Sequence, residues 1–130
     1  MNAKEINVLV LAYMGDTIYE KYIREFLINK KIPNVNELQK HSVEYVSAKA
    51  QAKFLTELVD KNILNNEEIS VIKRARNNKS GKHPKNCDIL TYKHATALEA
   101  LIGYLYFENK QDRIDEIMKI ILKEKGNIIW

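Results

Sequence analysis

Apolar residues recur with the period of an α-helix along almost the whole chain, and only four Gly and two Pro interrupt it. No convincing run of period-two alternation competes with that pattern, so the expected fold is all-α, a compact helical bundle. A first helix is expected from about Lys4 to Asn29, with Asn2 and Glu5 at capping-box spacing. Pro33 and Asn34 then break the chain. Asn36 with Gln39 offers a cap for a second helix that carries Leu38 and extends toward Tyr45. Ser47 starts a third through Ala52, Leu55, Leu58 and Val59, and Asn65 with Glu68 caps a fourth carrying Ile69, Ile72 and Lys73. A polar connection with Gly and Pro, from Asn77 to about Ile89, leads into a strongly apolar helix from about Thr91 to Glu108. The last helix, about Asp112 to Lys125, sets Ile114, Ile117, Ile120 and Ile121 on one face, and Gly126 stops it. The tail that ends in Trp130 is apolar and suits packing on the core or on a partner chain.

A chain of 130 residues has room for about one domain, expected to span 1–130. Hydrophobic residues at 45% and charged residues at 29% exclude a disordered chain. Cys87 is the single cysteine, so no internal disulfide forms, which fits a reducing compartment. No stretch approaches the roughly 18 apolar residues of a membrane span, and the acid-containing opening does not read as a signal peptide. The expected location is the cytoplasm. The net charge of +4 is unevenly spread: Lys73 to Lys85 holds six Lys or Arg, one His and no acid, which leaves the remainder acidic overall. Concentrated positive charge points to a polyanionic partner.

Two carboxylates stand in unusual places. Asp16 lies mid-helix, with Leu9, Ala12, Tyr19, Glu20 and Ile23 at helical spacing; Glu99 lies mid-helix among Tyr92, Ala95, Thr96, Ile102, Gly103 and Tyr106. Apolar residues surround most of both helices, so both acids are expected to be largely buried, where an unpartnered carboxylate is costly. Gly15 and Gly103 sit beside them, each costing about 1 kcal/mol relative to Ala inside a helix. Close approach of two backbones would justify both glycines. Helices crossing there bring Asp16 and Glu99 to one point, and converging carboxylates suit a hard divalent cation, Mg²⁺ or Mn²⁺. On pattern alone the plainer alternative stays open, in which each acid pairs with a basic side chain or caps a buried hydroxyl.

In the basic segment, Lys73, Arg74, Arg76, Lys79, Lys82 and Lys85 are candidate phosphate contacts, with Asn77, Ser80 and Asn86 as further donors. Gly81 to Pro84 forms a turn that would present them. An ordinary solvated charge run is the bland alternative. His41, His83 and His94 form no metal-ligand spacing, which argues against zinc. No P-loop, dinucleotide fingerprint or Ser-His-Asp order is present. The tyrosines read mostly as packing, with Tyr92, Tyr104 and Tyr106 as candidates for contact with the polyanion.

Leu11-Ala12-Tyr13-Met14-Gly15-Asp16 and Glu99-Ala100-Leu101-Ile102-Gly103 resemble the two signature segments of the ribonuclease III catalytic domain. The likeness is closer to one branch, Mini-ribonuclease III, which it shares at Val46-Ser47-Ala48-Lys49, at Arg76 to Asn86 and at Thr91 to Tyr104. The resemblance implies an all-helical endonuclease acting as a homodimer on double-stranded RNA, with Asp16 and Glu99 as catalytic acids that hold Mg²⁺. It implies metal-assisted hydrolysis in which each protomer cuts one strand, leaving 5′-phosphate and 3′-hydroxyl ends. The longer enzymes carry further acids four residues before the first Asp and three before the last Glu; here Ala12 and Thr96 stand there, as in the Mini branch. Glu20 and Thr96 remain candidates for supporting the metal from nearby. With the catalytic domain filling the chain, RNA affinity is expected from the dimer surface and the basic segment. The branch implies precursor 23S rRNA as substrate, with a ribosomal protein as a conceivable presenting partner. Two rival readings are a non-catalytic double-stranded RNA-binding module in ribosome assembly and a helical interaction domain for an acidic protein; the latter leaves the mid-helix acids unexplained.

Overall fold

The computed structural model describes residues 2–79, 85 and 87–126, with side chains as far as Lys123. Among these there are six α-helices and no strand: α1 (Val8–Asn29), α2 (Val35–Val46), α3 (Ala48–Asp60), α4 (Asn66–Arg76), α5 (Ile89–Phe107) and α6 (Gln111–Gly126). α5 is the axis of the bundle. It buries residues all round its circumference, Ala95 to Leu98 and Ala100 to Leu105, as a helix apolar on every side must. α1, α3, α4 and α6 pack around it, and α2 packs on α1 and α3. Buried side chains from α1, α3, α4, α5 and α6 make one continuous core, including Leu11, Ile23, Leu58, Leu98, Leu101, Ile114 and Ile117. Each fully buried Leu or Ile contributes about 1.5–3 kcal/mol relative to exposure.

The local signals decide most helix ends. Asn65 accepts from Glu68 N at 2.8 Å while Glu68 accepts from Asn65 N at 2.9 Å, the expected capping box. Ser47 does two jobs. Its N–H donates to Val43 O at 3.2 Å to finish α2, and its Oγ accepts from Ala50 N at 3.1 Å to open α3. Asn62 and Asn109 close α3 and α5 in the left-handed conformation, φ 58° and 59°. Behind each follows a six-to-one bond, Ile63 N to Leu58 O at 3.1 Å and Lys110 N to Leu105 O at 2.9 Å.

Two expected starts move. Asn2 caps only the short 3-10 turn Ala3–Glu5, and α1 begins at Val8, where Asn7 accepts from Leu9 N at 2.8 Å. The extended backbone of Ile6 separates the two. α2 is capped by Asn34, not Asn36: Asn34 follows Pro33 with φ −154° and accepts from Glu37 N at 3.0 Å. α6 is pinned to α4 by a buried ion pair. Arg113 donates Nε to Glu68 Oε2 and Nη2 to Glu68 Oε1, both at 2.8 Å, and Nη2 also reaches Ile63 O. Glu68 is only 2% exposed, so the bidentate geometry matters more here than at a surface pair.

Candidate active site at the crossing of α1 and α5

The two mid-helix glycines are where α1 and α5 touch. A Cβ placed on Gly15 would lie 1.7 Å from the backbone O of Glu99, and one on Gly103 would lie 2.0 Å from Leu11 O. No side chain fits in either place, so main chain rests on main chain. Asp16 follows the first glycine and Glu99 lies one turn before the second, so the crossing sets their carboxyl groups close enough to interact. Among the described residues neither acid forms an ion pair with Lys or Arg.

The acids are not equally buried, which corrects the expectation for Asp16. α1 turns Leu11, Ala12, Gly15, Ile18 and Tyr19 inward, and Asp16 sits at the edge of that stripe, exposed to solvent. Glu99 is half-buried behind it. Burial pushes the Glu99 carboxyl up to about 8, with the hydrogen bond and charge of Asp16 and the charge of Glu20 acting in the same direction. A hydrogen bond from Gln51 opposes them. Glu99 therefore retains its proton near neutral pH, and the site opens to water on the Asp16 side.

The other expected site residues fall as follows. Glu20 is half-buried and Arg24 lies 3.4 Å from it, an exposed pair of little energetic worth, so Glu20 acts on Glu99 through its charge. Thr96 is buried one turn before Glu99 on α5. Lys73 and Arg76 stand in the last turn of α4, where cations favour the helix dipole, and Asn77 is its C-cap. Arg74 is partly committed to the fold: its Nη1 donates to Lys4 O at 2.7 Å and its Nη2 to Ile6 O at 3.1 Å. Lys79 and Lys85 are exposed. Ser80, Lys82 and Asn86, with the Gly81–Pro84 turn and the tail 127–130, lie outside the described residues. Tyr104 reaches Glu67, and its hydroxyl is a packing contact rather than a free surface group.

Gln51 is the residue the sequence reading missed. It is 3% exposed on α3; its Nε2 donates to Val46 O at 2.9 Å and lies 3.5 Å from Glu99 Oε2, while its Oε1 has no partner among the described residues. The signal was present, because Gln51 shares the helical stripe of Phe54, Leu55 and Leu58. A polar residue on an apolar stripe is a query that local pattern can raise but not answer.

Residues 9–110 match the ribonuclease III domain. The chain belongs to the ribonuclease III family. Within that family it is 47% identical to the Mini-ribonuclease 3 of Clostridium tetani over 92% of this chain and 78% of that protein. It is 51% identical to the Mini-ribonuclease 3 of Brevibacillus brevis over 87% of this chain and 83% of that one. A crystal structure of a Fusobacterium nucleatum protein superposes with a TM-score of 0.82 at 35% identity, covering 93% of this chain and 95% of that one. As a member of the ribonuclease III family the protein is an endoribonuclease, and the helical bundle is the fold of that family.

Proposed function

We propose that this ribonuclease III family member hydrolyses double-stranded RNA with Asp16 and Glu99 as its catalytic acids and Mg²⁺ (or Mn²⁺) as its metal. We propose further that it matures the ends of precursor 23S rRNA as a cytoplasmic homodimer of single-domain chains. The observation that carries the reading is the approach of two carboxyl groups that have no basic partner among the described residues, one of them held up to about 8. Such a pair is unfavourable when both acids ionise, and a divalent cation is what relieves it. Among the described residues no group of three or more His, Cys, Asp or Glu stands ready to hold a metal, and the ligands proposed are the hard carboxylate oxygens of Asp16 and Glu99. That set fits Mg²⁺ completed by water, which keeps much of its hydration in protein sites.

The chemistry a divalent cation supplies at such a pair is a nucleophilic water at neutral pH and neutralisation of charge on the phosphate. The chain's own residues do the rest. Asp16, exposed at the rim, and Glu99, half-buried, would hold that cation, with Asp16 on the side from which the RNA backbone would approach. Lys73, Arg76 and Lys79 suit contact with duplex phosphates, with Lys82, Lys85, Arg74 and the polar residues Asn77, Ser80 and Asn86 as further candidates; RNA duplexes are read largely by shape and backbone. A dimer is supported by α1, where Val10 and Tyr13 are 54% and 82% exposed on adjacent turns, an apolar surface that suits a second copy. No described helix is long and apolar enough to cross a membrane.

The test is cleavage of a long RNA duplex in Mg²⁺ against the same reaction in EDTA. Asp16→Asn and Glu99→Gln are each expected to abolish cutting while helical content and duplex binding, steeply salt-dependent, persist. If both variants still cut in Mg²⁺, the acids are misassigned; an intact duplex with a mobility shift from the unaltered protein would make it a clamp.

A further inference from the structure

Gln51 is held at a position where an apolar side chain would be the obvious occupant. Phe54, Leu55 and Leu58 share its stripe and its burial, and its Oε1 is enclosed without a partner among the described residues. An enclosed, unpaired amide oxygen is unfavourable, and such exceptions concentrate at functional sites. What the amide does reach is informative. Nε2 is anchored on the last carbonyl of α2, Val46 O, at 2.9 Å, and its second hydrogen is left toward Glu99 Oε2 at 3.5 Å. That second contact is long for a hydrogen bond. It is nevertheless a donor offered to Glu99 by a buried group anchored on α2.

We propose that Gln51 is a positioning residue of the catalytic centre: its amide, clamped on α2, steadies the Glu99 carboxylate toward Asp16 without bringing a charge. The absence of charge is the point. A Lys or Arg in the same place would neutralise the pair and compete with a divalent cation. A Leu or Met would leave the half-buried carboxylate with no donor on that side. The amide favours the ionised form and leaves the negative charge available to a metal. Groups that orient metal-binding side chains in this way typically govern affinity or activity about 10–100-fold.

This inference rests on the reading of Asp16 and Glu99 as metal-holding acids, and its test keeps the two apart. Gln51→Met preserves volume and removes the donor. Metal-free full-length protein is titrated with Mn²⁺ and followed by electron paramagnetic resonance, and duplex cleavage is measured alongside. Gln51→Met should weaken Mn²⁺ binding about tenfold and lower kcat, with KM for the duplex unchanged. Tyr19→Phe is the structural control, because the Tyr19 hydroxyl ties the same end of α2 through Tyr45 O at 2.6 Å; it should lower the melting temperature and leave Mn²⁺ affinity alone. The proposal is overturned if Gln51→Met binds Mn²⁺ and turns over like the unaltered protein. It is equally overturned if Tyr19→Phe weakens the metal as much. Should Gln51→Met fail to fold, Gln51→Asn, which keeps the amide but draws it back by one methylene, is read by the same criteria. Cleavage by Glu99→Gln would instead sink the underlying assignment of the acids, whatever Gln51 does.

Discussion

Glu99 keeps its proton to about pH 8 because burial, then the hydrogen bond and charge of Asp16, then the charge of Glu20 disfavour its carboxylate. The ordinary value is 4.5, so the folded protein binds this proton more tightly than the unfolded chain. The stability it contributes is complete below the ordinary value and is lost as pH rises through about 8. The metal-free protein should therefore melt at progressively lower temperature between roughly pH 5 and pH 8. Glu99→Gln should flatten that decline, and saturating Mg²⁺ should reverse it, since the metal takes the ionised pair. A melting temperature that does not fall across that range, or falls equally in Glu99→Gln, contradicts the account. At this scale the sequence pointed to Asp16, Glu99, Gly15 and Gly103, because an acid or a glycine inside an apolar helix is visible locally. It misjudged the exposure of Asp16, since a helical wheel shows neighbours but not where the neighbouring helix ends. It passed over Gln51, whose partner lies 48 positions away.

α1 and α5 meet backbone to backbone, and that contact belongs to the elements rather than to any side chain. Gly15→Ala places a methyl group against the carbonyl of Glu99 itself. The helices must separate, with an overpacking cost of about 1–3 kcal/mol or more, and Glu99 moves with its carbonyl. Cleavage should fall much further than the loss of stability explains, while far-ultraviolet circular dichroism still reports a helical protein. Activity equal to the parent's would show that the crossing does not set the site. Most helix boundaries were legible because caps are short-range: Asn65 with Glu68 and Ser47 act within one turn of themselves. The start of α1 was not, because two asparagines five residues apart both satisfy the capping rule, and only the extended Ile6 between them decides which opens the long helix.

On the whole molecule, two exposed surfaces suit different partners. The basic residues that end α4 suit a polyanion, and the exposed Val10 and Tyr13 suit another copy of the chain. Tyr13→Asp should convert a dimer into a monomer in sedimentation and uncouple the two cuts, so that nicks accumulate in place of clean double-strand breaks. A parent protein that sediments as a monomer at micromolar concentration would remove the dimer from the reading. The architecture as a whole was readable from periodicity and turn residues, whereas the arrangement of helices about α5 needed long-range packing to appear. One consequence of the crossing reaches beyond any single experiment. Because the separation of the two helices is gauged by main-chain atoms in contact, it depends little on how the rest of the interior is furnished. Relatives share about half or less of this sequence, and a methyl group on either glycine is what would force the two helices apart.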